Sequence, residues 1–270
     1  MFSFLRTRAG ALLGLAALLA ASTPTPLRAA DQAVVTCYVR IDAIVDIPQP
    51  GLHAMQVESW SSEPLSTVAT LYTASKSYTL DLRAIAFEQG GDAKSDAEDV
   101  LTPFRTRPIL FRLPAGESIE AATLDFGADS ACLTSGYAKA NASAKAADAL
   151  RGETSAVDAK LGVPLEVAFK RQESQPTCAV PYRRAQMDAP EHLHSSDSVP
   201  REQGTVVILV GLTSKGDVSS LGLLGSNVSR PFEGAALRQM NNRRFEPEIF
   251  RCEPVAGGLA YHFHYRGRSR

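Results

Sequence analysis

The stretch Gly204-Thr-Val-Val-Ile-Leu-Val-Gly-Leu212 decides the fold of the C-terminal part of the chain. Its run of β-branched and aliphatic residues predicts a strand that is buried on at least one face. Residues 214–217, Ser-Lys-Gly-Asp, predict a tight turn, because glycine and aspartate tolerate unusual backbone dihedral angles. Residues 218–224 predict a returning strand, which Gly225-Ser-Asn227 is expected to break. The stretch therefore predicts an antiparallel hairpin.

A helix and a third strand are predicted after the hairpin. The helix is expected to begin at Ser229 or Arg230, with Pro231 in its first turn and Glu233 near the positive end of its dipole. Apolar residues recur along it at helical spacing, namely Phe232, Ala235, Ala236, Leu237 and Met240. Residues 257–265 alternate as a strand does. Together these elements predict an α+β domain, an antiparallel three-stranded sheet with a packed helix.

The first half of the chain predicts an all-β sandwich. Short runs rich in β-branched and aromatic residues follow one another between turn signals, at residues 34–44, 55–60, 67–72, 78–87, 108–113 and 119–126. Residues 137–150 are rich in alanine with little apolar periodicity, so they predict a linker or a solvated helix. Residues 165–169 are either a last strand of the sandwich or a lead-in to the C-terminal domain. The predicted organisation is therefore a segment 1–30, a sandwich over 31–135, a linker over 136–175 and the α+β domain over 176–266.

The first thirty residues predict a signal peptide. Arg6 and Arg8 precede an apolar run from Ala9 to Ala21, and small residues permit cleavage after Ala29 or Ala30. This run is shorter than the roughly 20 apolar residues that a spanning helix needs. The alternative is an uncleaved anchor, and only in that case is a membrane expected as a partner. The sequence predicts a periplasmic or secreted protein, or an inner-membrane anchored one that faces the periplasm.

Charge and motif content exclude several classes of function. Residues 31–175 carry 13 Lys+Arg and 20 Asp+Glu, a difference of -7, whereas residues 176–270 carry 12 and 9, a difference of +3. This change of sign argues against the continuous basic footprint of a nucleic-acid binder. The chain has no Gly-x-Ser-x-Gly elbow, no glycine-rich phosphate loop and no His-Glu-x-x-His motif. The sequence therefore predicts neither an enzyme nor a cofactor, and it places acids such as Glu246 and Glu248 at the surface.

All four cysteines follow the predicted signal. An even number of cysteines in an exported chain indicates disulfides, and four allow three connectivities. We predict Cys37–Cys132 and Cys178–Cys252, because that choice closes one loop within each proposed domain. A metal site is the alternative, but no two of these cysteines form a close Cys-x-x-Cys pair.

Two His-x-His pairs are candidate metal ligands. His262 and His264 are two apart on a predicted strand, so they face the same side, opposite its aromatic residues. Two imidazoles on one face can bind a divalent transition metal, and His192 and His194 would complete a set of four. In the alternative, alternation simply places these polar residues on a solvated face.

The order strand, turn, strand, helix, strand resembles the C-terminal domain of the TonB energy-transducer family, over about residues 178–265. The segments that carry the resemblance are Gly204-Thr-Val-Val-Ile208, Lys215-Gly-Asp-Val218, Leu224-Gly-Ser-Asn227, Glu233-Gly-Ala-Ala-Leu237, Phe245-Glu-Pro247 and Tyr261-His-Phe-His-Tyr265. The resemblance implies structural roles for Gly204, Gly216, Ala235, Ala236, Leu237, Phe245, Pro247 and Phe263. Cys178 and Cys252 are similar to the disulfide pair of one exported subgroup of such domains.

The resemblance also implies a function. Domains of this family bind outer-membrane transporters and transmit force from an inner-membrane motor, which requires a retained anchor and a long Pro-rich spacer. In place of a spacer this chain carries a β domain. The leading hypothesis is therefore a periplasmic interaction module that binds an envelope protein, such as an outer-membrane transporter, by strand addition. The two alternatives are an energy transducer or transport accessory with an uncleaved anchor, and a metal-handling protein that uses the histidine pairs.

Overall fold

The β-rich first half of the chain forms two facing sheets in which most strand pairs are antiparallel. The computed structural model describes residues 37–89, 102–127, 132–156, 162–188 and 203–265, so the predicted signal lies outside the described residues. The first sheet contains β1 Cys37–Asp46, β2 Leu52–Ser59, β5 Glu88–Gln89, β6 Phe104–Arg105, β7 Ile109–Arg112, β9 Cys132–Ser135 and β11 Leu165–Glu166. The second contains β3 Leu65–Tyr72, β4 Lys76–Ile85, β8 Ala121–Asp125, β10 Tyr137–Ala138 and β12 Ala168–Gln172.

Alternating residues of these strands fill the core between the two sheets. On β1 and β2 the inward positions are apolar and fully buried, for example Val39, Ile41, Met55 and Val57. They pack in one cluster with buried residues of the second sheet and of β7, including Leu71, Tyr78, Leu80, Phe111 and Leu124. The β-rich, sandwich-like architecture that the sequence predicts is confirmed for this half of the chain.

The segment over 136–175 differs from the predicted linker. Its helix α1, Ala144–Ala156, lies on the outer face of the first sheet, where Leu150 is fully buried among Ala43, Val45, Ala54 and Leu110. The buried stripe of α1 is narrow, which explains the weak apolar periodicity. A short 3₁₀ helix, Lys139–Asn141, precedes α1, and β10, β11 and β12 add strands to the two sheets. Residues 137–172 therefore extend the sandwich.

The C-terminal part forms a third sheet with strand order β16-β15-β20. Strand β15, Gly204–Leu212, and β20, Gly257–Tyr265, have the bounds that the sequence predicts. Strand β16, Val218–Ser226, runs through the predicted break, because a bulge at Val207/Ile208 lets β15 continue to pair with it. The helix α2, Arg230–Asn241, follows, and its N-cap is Ser229.

Short strands connect α2 to the last strand. Strands β13 Tyr182–Arg183, β18 Glu248–Phe250 and β19 Glu253–Val255 form one small sheet, and β14 Gln186–Met187 pairs with β17 Phe245–Glu246. These pairings bring residues 182–187, which precede the third sheet in the chain, against residues that follow α2. They also place Pro247 between two short strands, where its missing N–H removes no ladder hydrogen bond of a long strand.

The third sheet packs on both faces. One face meets α2, where Ala236 and Met240 are buried with Phe245 and Phe263, and the ring of Phe232 packs edge-on against Tyr265. The other face meets the first sheet, where Leu209 and Ala260 contact Tyr38 and Leu133. Gly211 and Gly258 pair across β15 and β20 and leave room for Leu133, since a Cβ on Gly211 would lie 2.8 Å from its Cδ1 atom. The described residues all belong to one compact unit, Gln32–Arg270.

Both predicted disulfides are present. Cys37–Cys132 joins β1 to β9, and Cys178–Cys252 joins the segment before β13 to the turn between β18 and β19. Two disulfides indicate that the chain folds in an oxidising compartment. Within the described ranges, no helix has the length and apolar character needed to cross a membrane.

Candidate functional site

The free edge of β16 is the candidate interaction site. Among the described residues β15 is the only strand that pairs with β16, so the main-chain groups on the other side of β16 have no strand partner there. The nine residues, Val-Ser-Ser-Leu-Gly-Leu-Leu-Gly-Ser, include no charged side chain and no proline. Leu223 on this strand is 44% exposed. Natural proteins protect long edge strands with charges, prolines or covering elements, and β16 has neither of the first two.

The edge strand β12 shows the opposite chemistry. It lies at the border of the second sheet, and all five of its residues are exposed. It carries Lys170 and Arg171, and Arg171 is paired with Glu173 at 2.7 Å. Charged residues of this kind discourage pairing with a second chain. The edge strands β12 and β16 therefore differ in their content of charged residues.

The turn between β15 and β16 fixes the position of the edge. Thr213 N donates to Asp217 O at 2.9 Å, and the Thr213 hydroxyl accepts from the N–H groups of Lys215 and Asp217. Gly216 has a φ of +83°, and a Cβ there would lie 2.1 Å from the carbonyl oxygen of Phe245. Only glycine fits this turn, because both the left-handed dihedral and the close backbone approach exclude a side chain.

The start of β15 and the helix hold the other end of the edge. Asn227 Oδ1 accepts a hydrogen bond from Thr205 N at 2.6 Å, and Gly204 packs against Asn227 and Val228. On α2, Ala236 is fully buried while Ala235 and Leu237 are half-buried. All eight positions with structural roles implied by the TonB resemblance lie in or around the third sheet. That placement is compatible with the structural roles that the resemblance implies. It does not test whether the chain belongs to the TonB family.

The histidine pairs are only partly described. His262 and His264 lie on β20 with ring centroids 6.3 Å apart, and His264 Nδ1 is 3.0 Å from the Thr205 hydroxyl. Burial lowers the pKa of His262, and the charges of His264 and Arg40 lower it further. His192 and His194 lie outside the described residues. In the described ranges no three His, Cys, Asp or Glu side chains come together as a metal site.

Sequence reasoning missed a buried ionic network on the outer face of the first sheet. The Glu58 carboxylate accepts hydrogen bonds from Arg40 on β1 and from Arg105 on β6, at 2.7–2.9 Å, and its side chain is 3% exposed. Asp42 lies beside both guanidinium groups, at 3.9 and 3.7 Å. Desolvation raises the pKa of the Asp42 carboxyl, and the charge of Glu58 raises it further. The sequence feature that could have predicted this network is the placement of acidic and basic residues at outward positions of neighbouring strands.

Glu248 was predicted at the surface, and that prediction is wrong. The residue is 4% exposed, because β18 lies against the junction of β9 and β10. Its carboxylate accepts hydrogen bonds from Gly136 N at 2.7 Å and from the Ser135 hydroxyl at 2.9 Å. A third hydrogen bond, from the Tyr38 hydroxyl to Gly258 O at 3.3 Å, joins the same two parts of the fold. Glu248 therefore helps to attach the C-terminal part to the first sheet.

Replacing Glu248 with glutamine is expected to flatten the dependence of stability on pH. Desolvation raises the pKa of the Glu248 carboxyl, and the bonds from Gly136 and Ser135 only partly oppose this. A raised pKa gives stability that is present at low pH and lost as pH rises through the folded-state value. In Glu248→Gln the amide oxygen can accept from Gly136 N, and the amide nitrogen can donate to the Ser135 hydroxyl. Because this side chain is neutral, the variant should unfold at higher denaturant concentration than the wild type near neutral pH.

The measurement is denaturant unfolding of both proteins from below pH 4.5 to pH 7.5. Glu246→Gln is the matched control. Glu246 lies two residues before Glu248 in the chain, and it forms a partly exposed ion pair with Arg183. This control should retain the wild-type pH dependence. A Glu248→Gln protein that is less stable than the wild type at neutral pH would show instead that the buried charge is net stabilising.

Comparison with known proteins does not assign this chain to a family. Searches with protein-family models, against curated proteins and against solved structures returned no match to this chain. The resemblance to the TonB C-terminal domain stays a prediction from the sequence, as does the expectation that the protein is not an enzyme.

Proposed function

We propose that this protein is an exported, periplasmic interaction module that binds an extended segment of an envelope protein by strand addition. The observation that carries the proposal is the uncharged, proline-free free edge of β16. A partner segment that adds as a fourth strand gains main-chain hydrogen bonds along up to nine residues. The partner's side chains would alternate between the two faces of the sheet and provide specificity.

The rest of the fold supports a rigid binding edge. α2 covers one face of the third sheet and the first sheet covers the other, so β15 is buried along most of its length. A preorganised edge loses little conformational freedom when a partner strand adds, which favours binding. Energy transduction and metal handling remain the alternatives. They depend on residues 1–30 and on His192 and His194, all outside the described residues.

Photo-crosslinking along β16 tests the proposal. A photoreactive amino acid is placed in turn at Leu221 and Leu223 of the full chain in cells, and crosslinked peptides are identified by mass spectrometry. Strand addition predicts one partner segment, with the crosslinked partner residue moving by two for each step of two along β16. Crosslinks that show no such register would contradict strand addition.

The substitution Leu223→Lys is expected to reduce this crosslinking at Leu221 at least tenfold. A lysine on the free edge introduces the charge that natural proteins use to prevent edge pairing. Stability should change by no more than about 0.5 kcal/mol, because Leu223 is 44% exposed. Val68→Lys is the matched control, since Val68 is 40% exposed on β3, an inner strand of the second sheet. Equal crosslinking in both variants would overturn the assignment of β16 as the binding edge.

A further inference from the structure

A small cleft lies where the third sheet meets the first sheet. Its volume is about 200 Å³, and its walls come from β1, β20, the end of β9 and residues 184–185. Two arginines, Arg40 and Arg184, line it from different elements, and Ser135 lies beside them. Clefts between packed substructures are preferred positions for ligands. The cleft is separate from the β16 edge and plays no part in the proposed strand addition.

Arg184 is the unusual group in this cleft. It is half-buried, yet within the described part of the chain it has neither a hydrogen bond nor a carboxylate within 4.0 Å. Its neighbour Arg183, in contrast, pairs with Glu246 at 2.7 Å. A guanidinium group has five N–H donors in a planar fork. Among the described residues none accepts a hydrogen bond from these donors of Arg184.

Electrostatic interactions place the charge of Arg184 at the cleft. Desolvation raises the pKa of the Tyr38 hydroxyl and of the Asp42 and Glu248 carboxyls, and the positive charge of Arg184 opposes that rise in all three. The guanidinium therefore lies within electrostatic reach of all three groups, although it forms an ion pair with none of them. Glu248 instead accepts from Gly136 and Ser135.

Arg40 supplies a second cation. Its Nε and Nη2 atoms bond Glu58 at 2.8 and 2.7 Å, and in the described part of the chain its Nη1 atom makes no hydrogen bond. Glu58 and Asp42 offset the charges of Arg40 and Arg105 in the network beside the cleft. No carboxylate in the described ranges pairs directly with Arg184, so the cleft favours an anion.

We propose that this cleft binds one oxyanion group, a carboxylate or a phosphate, between Arg184 and Arg40. The planar fork of arginine matches the two oxygens of either group, and such charge-assisted bonds are stronger than neutral ones. A cleft of about 200 Å³ is smaller than the range of roughly 300–1,000 Å³ that holds drug-sized ligands. The ligand therefore inserts a single acidic group, either as a small free anion or as the end of a longer molecule.

The test is titration of the full chain with sodium acetate and with sodium phosphate by calorimetry, at constant ionic strength set with sodium chloride. Saturable binding of at least one anion is expected, and Arg184→Gln should weaken it about tenfold or more. Arg183→Gln is the matched control and should bind as the wild type does, as should Leu223→Lys. A short peptide with a free C-terminus, compared with its amidated form, shows whether the carboxylate of a longer chain also enters.

The outcomes separate the sources of the ligand. Binding of acetate and the free peptide assigns a carboxylate site, whereas binding of phosphate alone assigns a phosphate site. Absence of saturable binding to the wild type by any probe overturns the proposal. An equal loss in Arg183→Gln and Arg184→Gln also overturns it, because that result would show only a general effect of positive charge. Unfolding curves of both variants confirm that each remains folded under the conditions of titration.

Discussion

Gly216→Ala is expected to destabilise the folded chain by about 3 kcal/mol. The left-handed dihedral of +83° costs an L-residue about 1–2 kcal/mol. The added Cβ would also lie 2.1 Å from the carbonyl oxygen of Phe245 and 3.3 Å from Pro247 Cδ, so β17 must move. Overpacking of this kind costs about 1–3 kcal/mol. The measurement is the free energy of unfolding in denaturant, compared with that of the wild type.

Gly116→Ala is the control that separates the two causes. Gly116 has a φ of +85°, and a Cβ there would meet no atom within 4 Å. Its substitution should therefore lose only the conformational part, about 1–2 kcal/mol. Equal losses in the two alanine variants would show that the turn between β15 and β16 yields to the extra methyl group. In that case the close approach of Gly216 to Phe245 would not be what fixes the edge.

Removal of the Cys37–Cys132 disulfide is expected to have the largest effect on stability. The bridge closes a sequence separation of 95 residues, for which chain entropy gives a loss of about 4–5 kcal/mol as an upper figure. Cys37 is also 7% exposed within the sandwich core, beside residues of both sheets. The double variant Cys37→Ala with Cys132→Ala should therefore unfold at much lower denaturant concentration than the wild type.

Cys178–Cys252 provides the comparison. Its separation of 74 residues gives nearly the same entropic contribution, but Cys178 is exposed and neither cysteine lies in a core cluster. Cys178→Ala with Cys252→Ala should therefore lose less than the first double variant. Intact-mass measurement without reductant checks that the remaining bridge is formed in each protein. A larger loss for the second pair would show that the turn after β18 contributes more to stability than the sandwich core.

The two binding proposals are independent of each other. Leu223→Lys acts on the β16 edge of the third sheet and leaves Arg184 unchanged. Arg184→Gln acts in the cleft between the third sheet and the first sheet. Loss of one activity with retention of the other would therefore identify which proposal holds. If both hold, the protein combines a strand-binding edge with a site for an acidic group.

Local patterning determined the elements of the fold. The apolar run at 204–212 and the alternation at 257–265 fixed the bounds of two strands, because strand formation there depends on residues that are adjacent in sequence. The spacing of Phe232, Ala236 and Met240 likewise predicted the buried face of α2. The even number of cysteines indicated the two disulfides, and the proposed domains indicated their pairing.

Only the tertiary structure decided how these elements meet. Glu248 is an ordinary acid in sequence, and burial against Gly136, 112 residues away, makes it a contact between distant parts of the chain. The alanine-rich helix α1 has a narrow apolar stripe, so its packing through Leu150 depends on a surface that the sequence pattern does not reveal. The same holds for Arg184, which reaches the cleft because β1 and β20 lie beside residues 184–185. Periodicity reports which side of an element is apolar, whereas the identity of what covers it depends on long-range packing.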